Sequence, residues 1–377
     1  MNDVLIIGAG AAGLAAAYEL KQLGISVSLI EKAALIGAPW RGRHEQLCLN
    51  THRDLSNIPG LEMPKSYPIF PTRDQFIRYL EDYIDFLDVP IEFGIEATKI
   101  AAQPQGGYVV TTSKGQTEAR HVVIATGSDH QPYTPEWPNQ AEFKGELIHS
   151  GEFRHAKHYR DKSILIVGAG NSGVDIANHL AKESIKPSWM TVRKNGAWIA
   201  PKDIFGIPLQ PIARFAQGFP PVILDVAMAL LERILLGDLR KLGLPRPSKG
   251  AATRQIEDNQ VPSLDDGFIA SVKKGLFSFV PEISAFTTEG VELVDGQTLN
   301  PDVIICATGY RLGLQELVGT MKVLNIKGVP TFLADESCSA HPGLWFFGLN
   351  TSLFGNFYIR RSESKRLAEK IKRQLEK

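Results

Sequence analysis

The chain opens on an apolar run, Val4 to Ile7, that stops abruptly at Gly8-Ala9-Gly10-Ala11-Ala12-Gly13. A short continuous run predicts a strand buried on both faces, and the residues after the glycines predict a helix through Leu23 that Gly24 can stop. Apolar and polar positions alternate from Ser26 to Ile30, a second strand that ends on Glu31. The pattern then repeats. Ser163 to Val167 is a strand, Gly168-Ala169-Gly170-Asn171-Ser172-Gly173 is the turn, a helix runs to about Lys182, and a strand from Ser188 to Val192 ends on Arg193. Two such units in tandem predict an α/β protein with two Rossmann-like dinucleotide-binding domains, each three-layered.

Two further apolar runs end alike, Val122-Val123-Ile124 in Ala125-Thr126-Gly127 and Val303 to Cys306 in Ala307-Thr308-Gly309-Tyr310. Ala-Thr-Gly places a small turn at the strand's carboxyl end, where α/β proteins bind ligands. The simplest layout puts the first domain at residues 1–157 and 306–377, with the second inserted at 158–305. Residues 201–262 or so break the rhythm, with many prolines and a predicted helix at Val222 to Leu236. Asp225 and Glu232 share a narrow polar stripe on that helix. Burial is favoured over a membrane surface, which calls for more Lys and Arg. Asp203, Phe205, Phe215 and Phe219 are candidates for lining substrate access, although core packing accounts for the phenylalanines equally well.

Each glycine of the repeated motif has a task. The first makes the tight turn, the second admits a pyrophosphate, and the third lets helix and strand pack, while the helix N-terminus holds the phosphate charge. One such motif arises by chance about 0.3 times in a chain of this composition, so the weight lies in the pair and its context. The closing charges sort the ligands. Glu31 can accept hydrogen bonds from the ribose of FAD or NAD, whereas Arg193 with Lys194 suits the 2′-phosphate of NADPH.

Composition narrows the picture. Lys+Arg and Asp+Glu are equal at 41 each, so no global field draws the chain to nucleic acid. Three cysteines without a Cys-x-x-Cys give neither a disulfide framework nor a redox pair, and fit a reducing compartment. Val4 to Ala17 lacks the basic start of a signal peptide, and no stretch reaches the roughly 18 apolar residues of a membrane span. The expectation is a cytoplasmic flavoprotein without a metal site.

The segment Phe143-Lys144-Gly145-Glu146-Leu147-Ile148-His149-Ser150-Gly151-Glu152-Phe153 resembles the Phe-x-Gly-x-x-x-His-x-x-x-(Phe/Tyr) fingerprint of class B flavin-containing monooxygenases. The resemblance covers nearly the whole chain. Gly37-Ala38-Pro39-Trp40-Arg41, Leu47-Cys48-Leu49, Gly243 to Pro247 and Pro262 to Gly267 are similar to segments of the YUCCA-type branch and its bacterial relatives. Three places depart from related patterns. Gly37-Ala38 stands where many flavoproteins have two glycines. Gly348-Leu349-Asn350 stands where disulfide reductases have Gly-Asp, and Asn50-Thr51 resembles the amine-oxidising branch, where the YUCCA branch tends to carry histidine.

The resemblance implies FAD and NADPH as cofactors, with O2 and a small organic molecule as substrates. It implies hydride transfer to flavin N5, addition of O2 at C4a to form a hydroperoxyflavin, and shelter of that species by NADP+. His149 helps couple NADPH binding to flavin reduction, Trp40 lies near the flavin, and Asn50 is the catalytic candidate. The cofactor contacts expected are Gly8, Gly10, Gly13, Glu31, Trp40, Ala125, Thr126, Gly127, His149, Gly168, Gly170, Asn171, Ser172, Gly173, Arg193, Lys194, Thr308, Gly309 and Tyr310. His44, His52 and Arg53 are read mainly as structural. The reaction stays open between N- or S-oxygenation and oxidative decarboxylation of a 2-oxo acid such as indole-3-pyruvate. The alternative is a flavin oxidase or a quinone or dye reductase without oxygen insertion. A homodimer is left open.

Overall fold

The computed structural model describes residues 2–204 and 206–376, so Phe205 lies outside the described residues. The chain divides into two compact units, 1–42 with 51–131 and 310–377, and 43–50 with 132–309.

In the first unit, β1 (Asn2–Ile7) leads through the glycine turn into α1 (Ala11–Gln22) and then β2 (Val27–Glu31). Helix α2 (Arg73–Leu87) starts at a capping box in which Thr72 and Gln75 satisfy each other's backbone amides. Strands β3 (Ile91–Phe93), β4 (Ala97–Ala102), β5 (Tyr108–Thr112) and β6 (Gly115–Ile124) complete a sheet of order β3-β2-β1-β6-β5-β4. Leu344–Phe346 adds in parallel to β6. β1 therefore has β2 on one side and β6 on the other, both parallel, which puts the glycine turn at a topological switch point.

The second unit repeats this arrangement. Strands β7 (Glu146–His149), β8 (Ile164–Val167), β9 (Ser188–Thr191), β10 (Phe277–Val280) and β11 (Val303–Cys306) form an all-parallel sheet of order β10-β9-β8-β11-β7. Its central strands β8 and β11 are continuous apolar runs buried on both faces, as their composition predicts. Ile164, Ile166, Val303 and Ile305 join one core with residues of α3 (Asn171–Leu180). Leu165, Val167, Ile304 and Cys306 join another, against a three-stranded antiparallel meander from Ile283 to Leu299.

The unit boundaries differ from the sequence expectation of 1–157, 158–305 and 306–377. Val303 to Cys306 pair in register with Glu146 to His149, so residues well before 158 belong to the second sheet. Residues 43–50 belong to the second unit as well. Glu45 donates its amide to the Arg154 carbonyl (2.9 Å), Gln46 Oε1 accepts from the Ala156 amide (2.8 Å), and His44 Nε2 lies 2.8 Å from Asp175 Oδ2.

The largest correction concerns the predicted helix at 222–236. It forms as α4 (Pro221–Leu235), but only Glu232 is buried along it. Phe215 is 74% exposed and Phe219 54%, so neither belongs to a core. Asp203 caps a tight turn by accepting from the Gly206 amide at 2.8 Å. The polar stripe of α4 faces inward. Asp225 caps α5 (Ala251–Asp258), accepting from the Ala252 and Thr253 amides at 2.6 and 3.2 Å.

Burial raises the Glu232 carboxyl to about 7, partly opposed by Arg246. Its unfolded value is near 4.5, so the folded state disfavours ionisation, and stability falls as pH rises from about 4.5 through about 7. Glu232→Gln is predicted to unfold at a higher temperature than the wild type near pH 8, a gain on the order of 1–3 kcal/mol. The two proteins should converge near pH 4. A difference independent of pH would contradict this reading of the buried carboxyl.

Candidate dinucleotide sites

The turn after β1 is a cradle that side chains would fill. Gly8 has φ +104°, and a Cβ there would sit 2.6 Å from the Ala125 carbonyl oxygen. A Cβ on Gly13 would sit 2.0 Å from the Gly8 oxygen. Gly10 differs from both, because a Cβ on it meets nothing within 4 Å, and its extended backbone (φ −69°, ψ 177°) suits any residue. The space before α1 is thus open, and no side chain caps the helix. Glu31 anchors the turn, its two carboxylate oxygens accepting from the Ala9 and Ala33 amides at 2.9 Å each. Beside them Thr126 Oγ1 is buried without a hydrogen-bond partner, and Gly127 follows in the left-handed region at φ +78°. An uncapped helix N-terminus, an open glycine and an orphaned hydroxyl fit a pyrophosphate-bearing ligand. Trp40 packs edge-on against Phe76 at 4.5 Å.

The second unit builds the same cradle. Gly168 has φ +108°, with a Cβ position 2.9 Å from the Ala307 oxygen, and the one on Gly173 lies 2.1 Å from the Gly168 oxygen. Gly170 is again open, and Asn171 and Ser172 begin α3 without a side-chain cap. Arg193 and Lys194 are exposed after β9, with no ion-pair partner among the described residues. Two exposed cations beside an open helix N-terminus suit a phosphorylated ribose.

The fingerprint segment proves to be a clamp on an edge strand. Phe143 packs edge-on against Phe286 at 5.6 Å in one core, while the fully buried Phe153 stacks on Tyr159 at 5.2 Å in the other. A Cβ on Gly145 would be 2.3 Å from the Phe143 ring. His149 ends β7 with both ring nitrogens engaged. Nδ1 accepts from the Gly151 amide (3.1 Å), so Nε2 carries the proton and donates to the Gly309 carbonyl (3.0 Å). Burial lowers its pKa, in keeping with a neutral ring. His149 thus fixes the Ala-Thr-Gly turn, whose Thr308 hydroxyl donates to the Tyr133 carbonyl. Tyr310 begins the return to the first unit.

Asn50 ends the 43–50 segment, half-buried and with no side-chain hydrogen bond among the described residues. A turn-capping role is therefore absent. His52 and Arg53 are structural, the former accepting from the Asp54 amide and the latter donating to the Lys65 carbonyl. His44, Asp175 and His179 present ligand atoms within 4.8 Å of one another, a grouping not foreseen from sequence. The His44–Asp175 hydrogen bond accounts for that pair without an ion.

Sequence reasoning also missed a buried network in the first unit. Arg360, on the helix Asn356–Leu375, is 8% exposed and donates to the Asn350 carbonyl at 3.0 Å. Asn350 in turn donates to Glu363 at 2.7 Å. Burial lowers the Arg360 pKa to about 10, with Glu363 opposing. The network sits beside Gly348, where a Cβ would be 2.4 Å from Ala12 of α1. The Arg-x-x-Glu spacing was the available signal.

The comparisons agree with this geometry. The profile of the family described as pyridine nucleotide-disulphide oxidoreductase matches residues 5–203. Probable indole-3-pyruvate monooxygenase YUCCA3 of Arabidopsis thaliana is 31% identical over 369 residues, 94% of this chain and 84% of the relative. Indole-3-pyruvate monooxygenase YUCCA4 of Oryza sativa subsp. japonica is 33% identical over 331 residues, 81% of this chain and 74% of the relative. The chain belongs to the flavin-containing monooxygenases. It is an enzyme of that oxidoreductase family. In fold it is similar to the flavin-containing monooxygenase from Stenotrophomonas maltophilia, with a TM-score of 0.74 and 21% identity over the whole of both chains. A steroid monooxygenase bound to NADP gives 0.72 at 19% identity, covering 97% of this chain and 84% of that one. The disulphide chemistry in the profile's description has no counterpart in the site. Burial raises the Cys306 thiol to about 12 and the Cys48 thiol upward, so neither is a ready thiolate.

Gly10 and Gly13 separate ligand from fold. Gly10→Val is predicted to fold with native helix content yet purify colourless, because the side chain enters only the open space before α1. Gly13→Val must displace the Gly8 carbonyl and should unfold the first unit. Yellow Gly10→Val protein, scored by visible absorbance beside circular dichroism, would remove the flavin from this turn.

Proposed function

We propose that the chain holds FAD at the first glycine turn and NADPH at the second, and uses them to insert one atom of O2 into a small organic substrate. The observation that carries this reading is the duplicated cradle with opposite closing charges, Glu31 in one unit and Arg193 with Lys194 in the other. When bound, FAD supplies the redox chemistry, accepting hydride from NADPH and activating O2 at its C4a carbon.

The chain's own residues supply placement. Glu31 holds the first turn in shape and keeps lone pairs for a ribose hydroxyl. Gly10 and Gly170 admit the pyrophosphates to uncapped helix ends. Arg193 and Lys194 meet the 2′-phosphate, and His149 keeps the Thr308-Gly309 turn in place. Asn50 offers an unengaged amide for a hydrogen bond to the nicotinamide amide or the activated oxygen.

The substrate proposed first is an aromatic 2-oxo acid of the indole-3-pyruvate type, supported by relatives named for that activity. The balance is 2-oxo acid, O2, NADPH and a proton giving the shortened carboxylic acid, CO2, NADP+ and water. A soft amine or thioether is the second reading, favoured by Asn50.

Arg193→Ala is predicted to raise the KM for NADPH at least about tenfold while moving that for NADH little, as expected for loss of a charge-assisted contact to the 2′-phosphate. An equal effect on both would remove Arg193 from that phosphate. Coupling tests the reaction itself. Indole-3-pyruvate, and separately a tertiary amine, should lower the peroxide formed per NADPH and yield product in proportion. Stoichiometric peroxide with both substrates would favour an oxidase without oxygen insertion.

A further inference from the structure

The segment from 206 to 235 presents its polarity inside out. On α4, Val222, Val226, Leu230 and Ile234 recur every fourth residue along the exposed face, Val222 at 70% and Ile234 at 76% exposure. At 3.6 residues per turn these positions and their neighbours cover an arc of roughly 140°. Phe215 and Phe219, just before the helix in the chain, are exposed as well. The carboxylates go the other way, Asp225 to the end of α5 and Glu232 into the protein. Among the described residues of this segment, the exposed charges are therefore both cationic, Arg214 and Arg233. Arg214 lies over the Phe215 ring at 4.9 Å. A contiguous apolar face of this kind marks a contact with something.

We propose that this face docks on the surface of an anionic phospholipid bilayer. Charge complementarity selects the partner. Withdrawal of both carboxylates removes the acids that would oppose an anionic surface. The exposed apolar and aromatic side chains therefore supply most of the binding, and the two arginines add the preference for anionic headgroups. Their aliphatic stems can follow the apolar face while the guanidinium groups reach phosphate. A second copy of the segment offers no exposed acid to meet these arginines, whereas lipid phosphate does meet them. The contact lies flat, because no described helix is long and apolar enough to cross a membrane.

Co-sedimentation of the FAD-loaded protein with vesicles tests this. Vesicles of phosphatidylcholine with about a third phosphatidylglycerol should carry the protein down, pure phosphatidylcholine vesicles much less, and added salt should release it. The double variant Leu230→Glu/Ile234→Glu should lose about tenfold or more of the bound fraction while keeping wild-type flavin content and far-ultraviolet dichroism. A milder Leu230→Ser/Ile234→Ser pair should give an intermediate loss, so that a folding failure of the first variant leaves the test intact. No binding above an inert control protein would overturn the proposal. So would wild-type dimers in light scattering that the same substitutions dissociate, since the face would then belong to a second copy.

Discussion

Two close approaches between backbones hold this structure to its purpose. In each unit the first glycine of the turn lies against the carbonyl of the alanine that ends the neighbouring central strand, Gly8 against Ala125 and Gly168 against Ala307. No side chain fits either place, and both glycines also need a left-handed backbone. The contact draws the turn back over the sheet, so the next glycine faces open space before an uncapped helix. Everything assigned to cofactor binding follows from that retreat. The small residues of Ala-Thr-Gly are thus part of the turn's architecture as much as of any ligand contact.

On this shared frame the two units diverge through single residues. Glu31 spends part of its capacity on the backbone, tying the turn to its own strand end. Arg193 and Lys194 make no such bond and remain exposed, which the proposed contact with a ligand phosphate requires. A carboxylate in one place and two cations in the other are enough to sort an unphosphorylated from a phosphorylated ribose. The difference lies in a few atoms and needs no change of fold.

Much of this was legible in the chain. Continuous apolar runs reported strands buried on both faces, since neither side of Ile164 to Val167 reaches water, and the glycine spacing reported the turns. The unit boundary was harder to read. Glu146 to His149 is a short run whose partner, Val303 to Cys306, lies far along the chain, and only long-range pairing shows that it belongs to the second sheet. The polarity of α4 was misread for a related reason. A narrow polar stripe on an apolar helix gives the helix's asymmetry but not its direction, and Asp225 faces inward because the start of α5 needs a cap. The role of the fingerprint histidine is likewise invisible in the sequence, because its ring bridges Gly151 and Gly309, and Gly309 lies 160 residues away. Beyond their spacing, Arg360 and Glu363 are not marked out by the sequence, because buried charged residues on a polar helix look like solvated ones and their shared partner, Asn350, lies outside that helix.

The central claim is that each glycine turn holds its own dinucleotide, and the second turn tests it most directly. Gly170 occupies open space, so Gly170→Val should fold. The account predicts that this protein purifies yellow, with full flavin content, yet is not bleached by NADPH under anaerobic mixing that bleaches the wild type. Bleaching at the wild-type rate would contradict it, as would loss of the flavin.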